Sequence, residues 1–220
     1  MARRYDVAAV FAASCTVLNS PDGVLLKSPN ERGDGWSKVE LIETDRWADQ
    51  QIHRVVVKTQ YRYDCRPLWN ALRKTPRVHR ECRALQKLRR GGVAVPKVLS
   101  YSYDGTEAVL ITDYVEGGLS LDKALGLEGV DRDTIISAVA IEIGRLHRMR
   151  WTHGALYPAH LLITEPLQQP RVHLIDLEKA KYLRNQAQDL YRFWRYAHFI
   201  SATERTLFES VYQNTLRRGD

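Results

Sequence analysis

Residues 151–163 read WTHGALYPAHLLI and run on through TEPLQQPRVHLID to Asp176. A His-Gly pair, a Pro at 158 and His160 at the mouth of an apolar run describe a loop feeding a strand. The apolar runs 161–163 and 172–175 flank a Pro-bounded turn and predict an antiparallel hairpin. Folded about Gln168, that hairpin sets His160 opposite Asp176 at its open end. A carboxylate beside an imidazole is a candidate site for a divalent ion such as Mg2+, which takes one or two carboxylates plus phosphate oxygens. A lone Asp-His pair also serves structure, so the rest of the chain has to decide.

Upstream, DGVLLKSPN, GDGWSKVELIETD and IHRVVVKTQY are apolar, β-branched runs bounded by Gly, Asp, Asn and Pro, and predict an antiparallel meander. KTPRVHRECRALQKLRRGG follows as a helix, with Thr75 as cap, Pro76 at the first helical position and Gly91-Gly92 as the stop. Its apolar stripe is Val78, Cys82, Leu85 and Leu88, and at 100° per residue Glu81 falls in the middle of it. A carboxylate on the core side needs a cation. Lys58, at the end of the run VVVK, is the candidate, against the alternative of an exposed strand-end lysine and a Glu81 tilted to solvent.

PKVLSYSY and EAVLITDYV give two further strands about Asp104-Gly105, and EGGLSLDKALG reads as a hinge. Ile136, Val139, Ile143 and Leu146 then recur at helical spacing, and residues 187–216 supply closing helices. Strands first and helices later indicate an α+β chain. Two lobes are expected: a mostly antiparallel sheet with one helix over 1–112, and a mostly helical lobe over 113–220.

The chain has 220 residues, 44% hydrophobic and 27% charged, enough for a substantial core and unlike a disordered segment. A net charge of +7 favours an anionic partner. The basic residues are scattered in pairs and no zinc-finger or RNA-recognition spacing occurs, which argues against nucleic acid. Cys15, Cys65 and Cys82 are odd in number and far apart, as free thiols in a reducing compartment would be. MARRYDVAAVFAASC imitates a secretory leader, but Asp6 interrupts its short apolar run, so a packed strand or helix is expected. No stretch approaches the ~20 apolar residues of a membrane span.

RGDGWSK places a Gly-x-Gly turn between the first strands, where backbone N–H groups can approach phosphates. Alone it is a weak signal. The order is more informative: glycine loop, strand lysine, helix glutamate, hinge, His-led loop, strand-end aspartate, which is the order of the protein-kinase signature. With SPNERGDGWSKVEL, VVVKTQYRYDCRPL, HRECRALQKL, HGALYPAHLLI and LIDLEKAK, the chain resembles the lipopolysaccharide kinase (Kdo/WaaP) family, especially its InaA-like branch, across about residues 28–200.

The resemblance implies a two-lobed protein-kinase-like fold using ATP and Mg2+ on sugars of the lipopolysaccharide inner core, in the cytoplasm at the inner face of the inner membrane. It implies that Gly33, Gly35 and Ser37 cover the phosphates, that Lys58 holds them and that Glu81 is its partner. Thr112, Asp113, Tyr114 and Val115 would receive adenine through backbone groups. His153 would open the catalytic loop, His160 would stand where most kinases carry a metal-binding Asn, Asp176 would be the principal Mg2+ ligand, and Asp189 would brace the loop by accepting backbone N–H bonds.

Ala155 is the departure, for it occupies the position of the catalytic Asp that orients and deprotonates the acceptor hydroxyl. Phosphoryl transfer depends mostly on positioning and charge stabilisation, and a general base contributes about 10²- to 10⁴-fold. Three readings follow: a kinase with another base, such as Glu178 or Asp34; a pseudokinase that binds nucleotide and a partner at the membrane surface; or a chain in which Ala was introduced in place of Asp. A small-molecule phosphotransferase of the aminoglycoside or choline type is the alternative enzyme, disfavoured because its loop carries Asp then Asn where this chain has Ala155 and His160.

Overall fold

The computed structural model describes residues 24–32, 34–44, 53–65, 75–182 and 185–217. The readings made for the N-terminal leader-like stretch, Cys15 and Gly33 lie outside them. Two compact units emerge, Met1–Cys82 with Lys97–Tyr114, and Arg83–Pro96 with Val115–Asp220.

In the first unit, β1 (Val24–Arg32), β2 (Gly35–Thr44), β3 (His53–Tyr61), β6 (Val98–Tyr103) and β7 (Glu107–Asp113) form an antiparallel sheet in the order β1-β2-β3-β7-β6. The short strands β4 (Asp64–Cys65) and β5 (Thr75–Pro76) pair separately. The meander and the 104–105 turn are as the sequence predicts. Side-chain alternation along β3 assigns the two faces of the sheet. Val55 and Val57 join Ile42, Val109 and Ile111 in one buried cluster, each worth about 2 kcal/mol of burial. Val56, Lys58 and Gln60 point to the opposite face.

The helix that follows, α1 (Arg77–Arg90), starts one residue later than predicted. Thr75 and Pro76 are not its cap and first turn; they extend as β5 against β4. The cap comes from β3 instead: the Gln60 side-chain carbonyl accepts the Val78 N–H at 3.0 Å. A side chain held by the sheet fixes the helix start, and this does the work expected of a local Thr. The other end matches the glycine signal. Gly92 has φ 81°, Val93 N–H reaches the Leu88 carbonyl and Gly92 N–H the Arg89 carbonyl, the paired bonds of a left-handed helix stop.

In the second unit, α2 (Leu121–Leu125), α3 (Arg132–Arg148), α4 (Ala187–Tyr196) and α5 (Ala202–Arg217) dominate. Small sheets accompany them: β8 (Leu119–Ser120), β10 (Leu161–Thr164) and β11 (Arg171–Leu174) in the order β11-β10-β8, and β9 (Trp151–Thr152) with β12 (Lys181–Tyr182). Ile136, Val139, Ile143 and Leu146 of α3 are fully buried, as their spacing predicts, and Ile135 is buried with them. A Cβ on Gly144 would come within 2.8 Å of Thr215 Cγ2, so this glycine allows α3 and α5 to approach.

Arg132 closes the start of α3. It donates from Nε to Glu204 Oε1 at 2.7 Å and from Nη1 to the Leu125 carbonyl at 2.8 Å. The Arg132 bond, assisted by Ser201, pulls the Glu204 carboxyl down to about 2. A depressed carboxyl contributes stability that is complete above its unfolded value near 4.5 and is lost as pH falls toward 2. Arg132→Ala is expected to lower Tm by roughly 5 °C at pH 7 and to flatten the acid limb between those values; thermal melts across pH check both.

Candidate functional site

β3 and α1 meet through side chains two apart on one strand face. Gln60 holds the helix start, and Lys58 Nζ lies 2.7 Å from Glu81 Oε2. Glu81 is buried, with the stripe residues Val78, Cys82, Leu85 and Leu88 around it. Desolvation makes either charge costly without the other, so the pair fixes the lysine ammonium at one place on the sheet. Cys82 is a buried free thiol pushed up to about 11 by burial and then by Glu81, and is therefore inert.

The glycine turn between β1 and β2 has a structural cause. A Cβ on Gly35 would stand 2.5 Å from the Arg62 carbonyl oxygen and 2.8 Å from that of Tyr61, so β3 itself requires the glycine. Ser37 Oγ accepts from Gln60 Nε2 at 3.4 Å, which links the hairpin to the amide that caps α1. Asp34 is exposed at the turn.

Thr112 lies in the ladder, opposite Val56 and Val98. Asp113 N–H donates to the Lys97 carbonyl and Tyr114 N–H to the Arg54 carbonyl, at 3.0 and 3.1 Å. Those two donors are engaged by backbone carbonyls. The Val115 carbonyl accepts from Gly118 N–H.

In the second unit, Asp189 organises the His-led loop. Its Oδ2 accepts the His153 N–H at 2.5 Å and its Oδ1 the Gly154 N–H at 2.9 Å. His147 Nε2 lies 3.4 Å from Oδ2, and the other ring nitrogen of His147 is 2.8 Å from the Tyr212 hydroxyl. Burial alone would raise the Asp189 carboxyl; the bonds from His147, His153 and Gly154 outweigh it and hold it below the usual range. Gly154 adopts φ 77°, a left-handed turn packed on the backbone of Lys179. His147 and Tyr212 escaped the sequence reading. The one available signal was a His inside the apolar face of α3.

His153 is fully buried and donates from Nε2 to the Ile175 carbonyl at 2.9 Å. Burial first, then the neighbouring His160, pushes it down to about 4, so the ring is neutral at pH 7. His160 stacks on it, with centroids 5.7 Å apart and planes 13° apart. His160 Nδ1 is 2.8 Å from the Ala155 carbonyl. A carbonyl only accepts, so Nδ1 carries a proton. Nε2, the other ring nitrogen, lies 3.5 Å from Asp176 Oδ2.

The hairpin achieves this by a different register from the predicted one. Leu161 pairs with Leu174, and Ile175 N–H donates to the His160 carbonyl, so Ile175 and not Asp176 faces His160. A one-residue slip would turn Asp176 to the wrong face. Asp176 instead has φ 59° and ψ 55°, a left-handed backbone that Asp tolerates better than most residues, and this returns its carboxylate to His160. Ala155 keeps 3% of its surface exposed, so its position offers no proton acceptor and little access to water. Glu178 follows in the short turn Leu177–Lys179 and is half-buried.

A convergent carboxylate oxygen and imidazole nitrogen fit a divalent cation whose remaining positions are filled by phosphate oxygens and water. The nitrogen donor makes this pair softer than an all-oxygen set.

The lipopolysaccharide kinase (Kdo/WaaP) family matches residues 19–212. Protein InaA of Escherichia coli (strain K12) is 24% identical over 174 residues, covering 73% of this chain and 75% of that protein. The KEOPS complex subunit Bud32 of Pyrococcus abyssi is 27% identical over 187 residues, 82% of this chain and 80% of its own. The EKC/KEOPS complex subunit BUD32 of Gibberella zeae is 33% identical over 104 residues, 43% of this chain and 38% of its own. The α+β architecture is thus of the protein-kinase-like, two-lobed kind.

Asp189→Ala strands one buried and one part-buried N–H donor and is expected to cost about 3 kcal/mol. Urea denaturation measures the loss, and amide exchange should accelerate at His153 and Gly154 ahead of the α3 core.

Proposed function

Because the chain belongs to the lipopolysaccharide kinase (Kdo/WaaP) family, a group of kinase-like phosphotransferases, we propose that it transfers the γ-phosphate of ATP to a sugar hydroxyl of the lipopolysaccharide inner core. The Lys58–Glu81 ion pair at 2.7 Å carries this reading, because a strand lysine paired with a buried helix carboxylate is the arrangement that holds nucleotide phosphates in kinases. Lys58 binds the α and β phosphates. Asp176 and His160 Nε2 would hold Mg2+, which would supply charge neutralisation on the phosphates. Asp189 keeps the His153-Gly154 backbone fixed, so the acceptor-side loop is ordered before substrate arrives. Gly35 and Ser37 cover the phosphates, and the stretch from Thr112 to Val115 takes the adenine, with the Asp113 and Tyr114 N–H groups excluded as donors. The protein acts at the cytoplasmic surface of the inner membrane, where its charge of +7 favours anionic lipid; no helix among the described residues is long and apolar enough to cross a membrane.

Ala155 makes proton removal from the acceptor the weak step, and Glu178 is the base proposed in its place, with Asp34 the further candidate. The closed, apolar position of Ala155 also favours a second reading, a pseudokinase that binds nucleotide and signals through a partner.

ATP with Mg2+ is expected to raise Tm by several degrees at saturating concentration. The shift should vanish in Asp176→Ala and shrink in Lys58→Ala. A wild-type protein indifferent to nucleotide would overturn both readings.

A further inference from the structure

Helix α4 does two things for the His-led loop. At its N-terminal end Asp189 binds the loop backbone, and at its C-terminal end the Tyr196 ring stands edge-on to Tyr157, with centroids 5.0 Å apart. Tyr157 in turn meets His160 edge-on at 5.3 Å. A continuous aromatic path therefore runs from the ligand pair His160 and Asp176 out to the surface of α4. Phe193, fully buried against Phe208 at 5.5 Å, locks the opposite side of the helix into the core and fixes the direction of the outer face.

That outer face is unusual for a helix of 10 residues. Tyr191 is 66% and Tyr196 51% exposed, and Arg192 and Arg195 stand between them. The spacing makes two i,i+4 neighbours, Tyr191 with Arg195 and Arg192 with Tyr196. Arg195 lies 5.8 Å from the Tyr196 ring centroid, and Arg192 Nη1 is 3.8 Å from Asp189 Oδ1. Solvating a helix needs no such rings, and exposed aromatics with a polar tip suit recognition surfaces.

We propose that this face of α4, with Tyr157, is the docking surface for the acceptor: a saccharide that carries phosphate or carboxylate groups close to its rings. This assignment rests on the phosphotransferase reading above and adds to it the place and chemistry of acceptor binding. The exposed tyrosine faces stack on the C–H faces of sugar rings, while the guanidinium groups take the anionic substituents in paired hydrogen bonds. The net charge of +7 acts in the same direction over longer distances. Tyr196 and Tyr157 bring the end of that saccharide to the loop that ends in His160. Aromatic and arginine side chains also serve single-stranded nucleic acid, but a helix of this length offers two exposed rings and no extended basic groove for a strand.

The test is calorimetric titration of the intact protein with deacylated inner-core oligosaccharide, in its phosphorylated form and after phosphatase treatment. Wild type is expected to bind the phosphorylated form and to bind the treated form more weakly. Tyr196→Ala should weaken both about tenfold, Tyr196→Phe should retain binding, and a combined Arg192→Ala and Arg195→Ala variant should lose the preference for phosphate. Tm and the response to ATP report that each variant is folded. Absent oligosaccharide binding, undiminished binding by Tyr196→Ala, or displacement of the saccharide by an equimolar oligothymidylate overturns the assignment. Oligosaccharide binding through Tyr196 without any response to ATP would instead leave this surface in place and remove the phosphotransferase reading.

Discussion

The buried carboxylate of Asp189 is the constraint on which the candidate loop depends. An ionised carboxylate inside a protein is costly unless its lone pairs are filled. Here the His153 and Gly154 N–H groups and His147 fill them, so the charge is stable only while the loop keeps its backbone course. Because His147 also meets Tyr212, the same network ties α3 and α5 to the loop. With its backbone fixed, the Ala155 carbonyl takes the His160 Nδ1–H bond, and this sets the ring so that Nε2 faces Asp176.

The first unit uses the same logic with opposite roles. Glu81 is the buried anion, and the strand lysine Lys58 is its condition for remaining charged. Gln60, two residues further along the same strand face, ties the start of α1 to the sheet and reaches Ser37 in the adjoining strand. Strand and helix are thereby held in one register, and the distance between Lys58 and Glu81 is set by more than their own attraction. Loss of the ion pair alone would leave that register supported by Gln60, which separates the placing of the helix from the placing of the ammonium.

Much of this was legible in the chain. Glu81 lay within an apolar stripe of period 3.6, and that position already demanded a cation; the β-branched runs and their Gly, Pro and Asp boundaries gave the meander, and the Gly91-Gly92 pair gave the stop of α1. What could not be read came from backbone conformation and from contacts distant in sequence. The left-handed turn at Asp176 cancels a register slip that no hydrophobic pattern encodes. Gln60 replaces Thr75 as the helix cap because the sheet brings it there. His147 and Tyr212 meet Asp189 only after two helices pack, so a His on the apolar face of α3 was the one trace the sequence carried.

Ala155 divides what the site holds from what it does. On the proposed reading, charge stabilisation and positioning come from groups other than the residue at 155, and the loss of one base lowers a phosphoryl-transfer rate without abolishing it. The most direct measurement is transfer of radiolabelled γ-phosphate from ATP to purified inner-core oligosaccharide. The account predicts slow, Mg2+-dependent incorporation that disappears in Asp176→Ala; incorporation equal to the no-enzyme background, in a protein that still binds ATP, would contradict it.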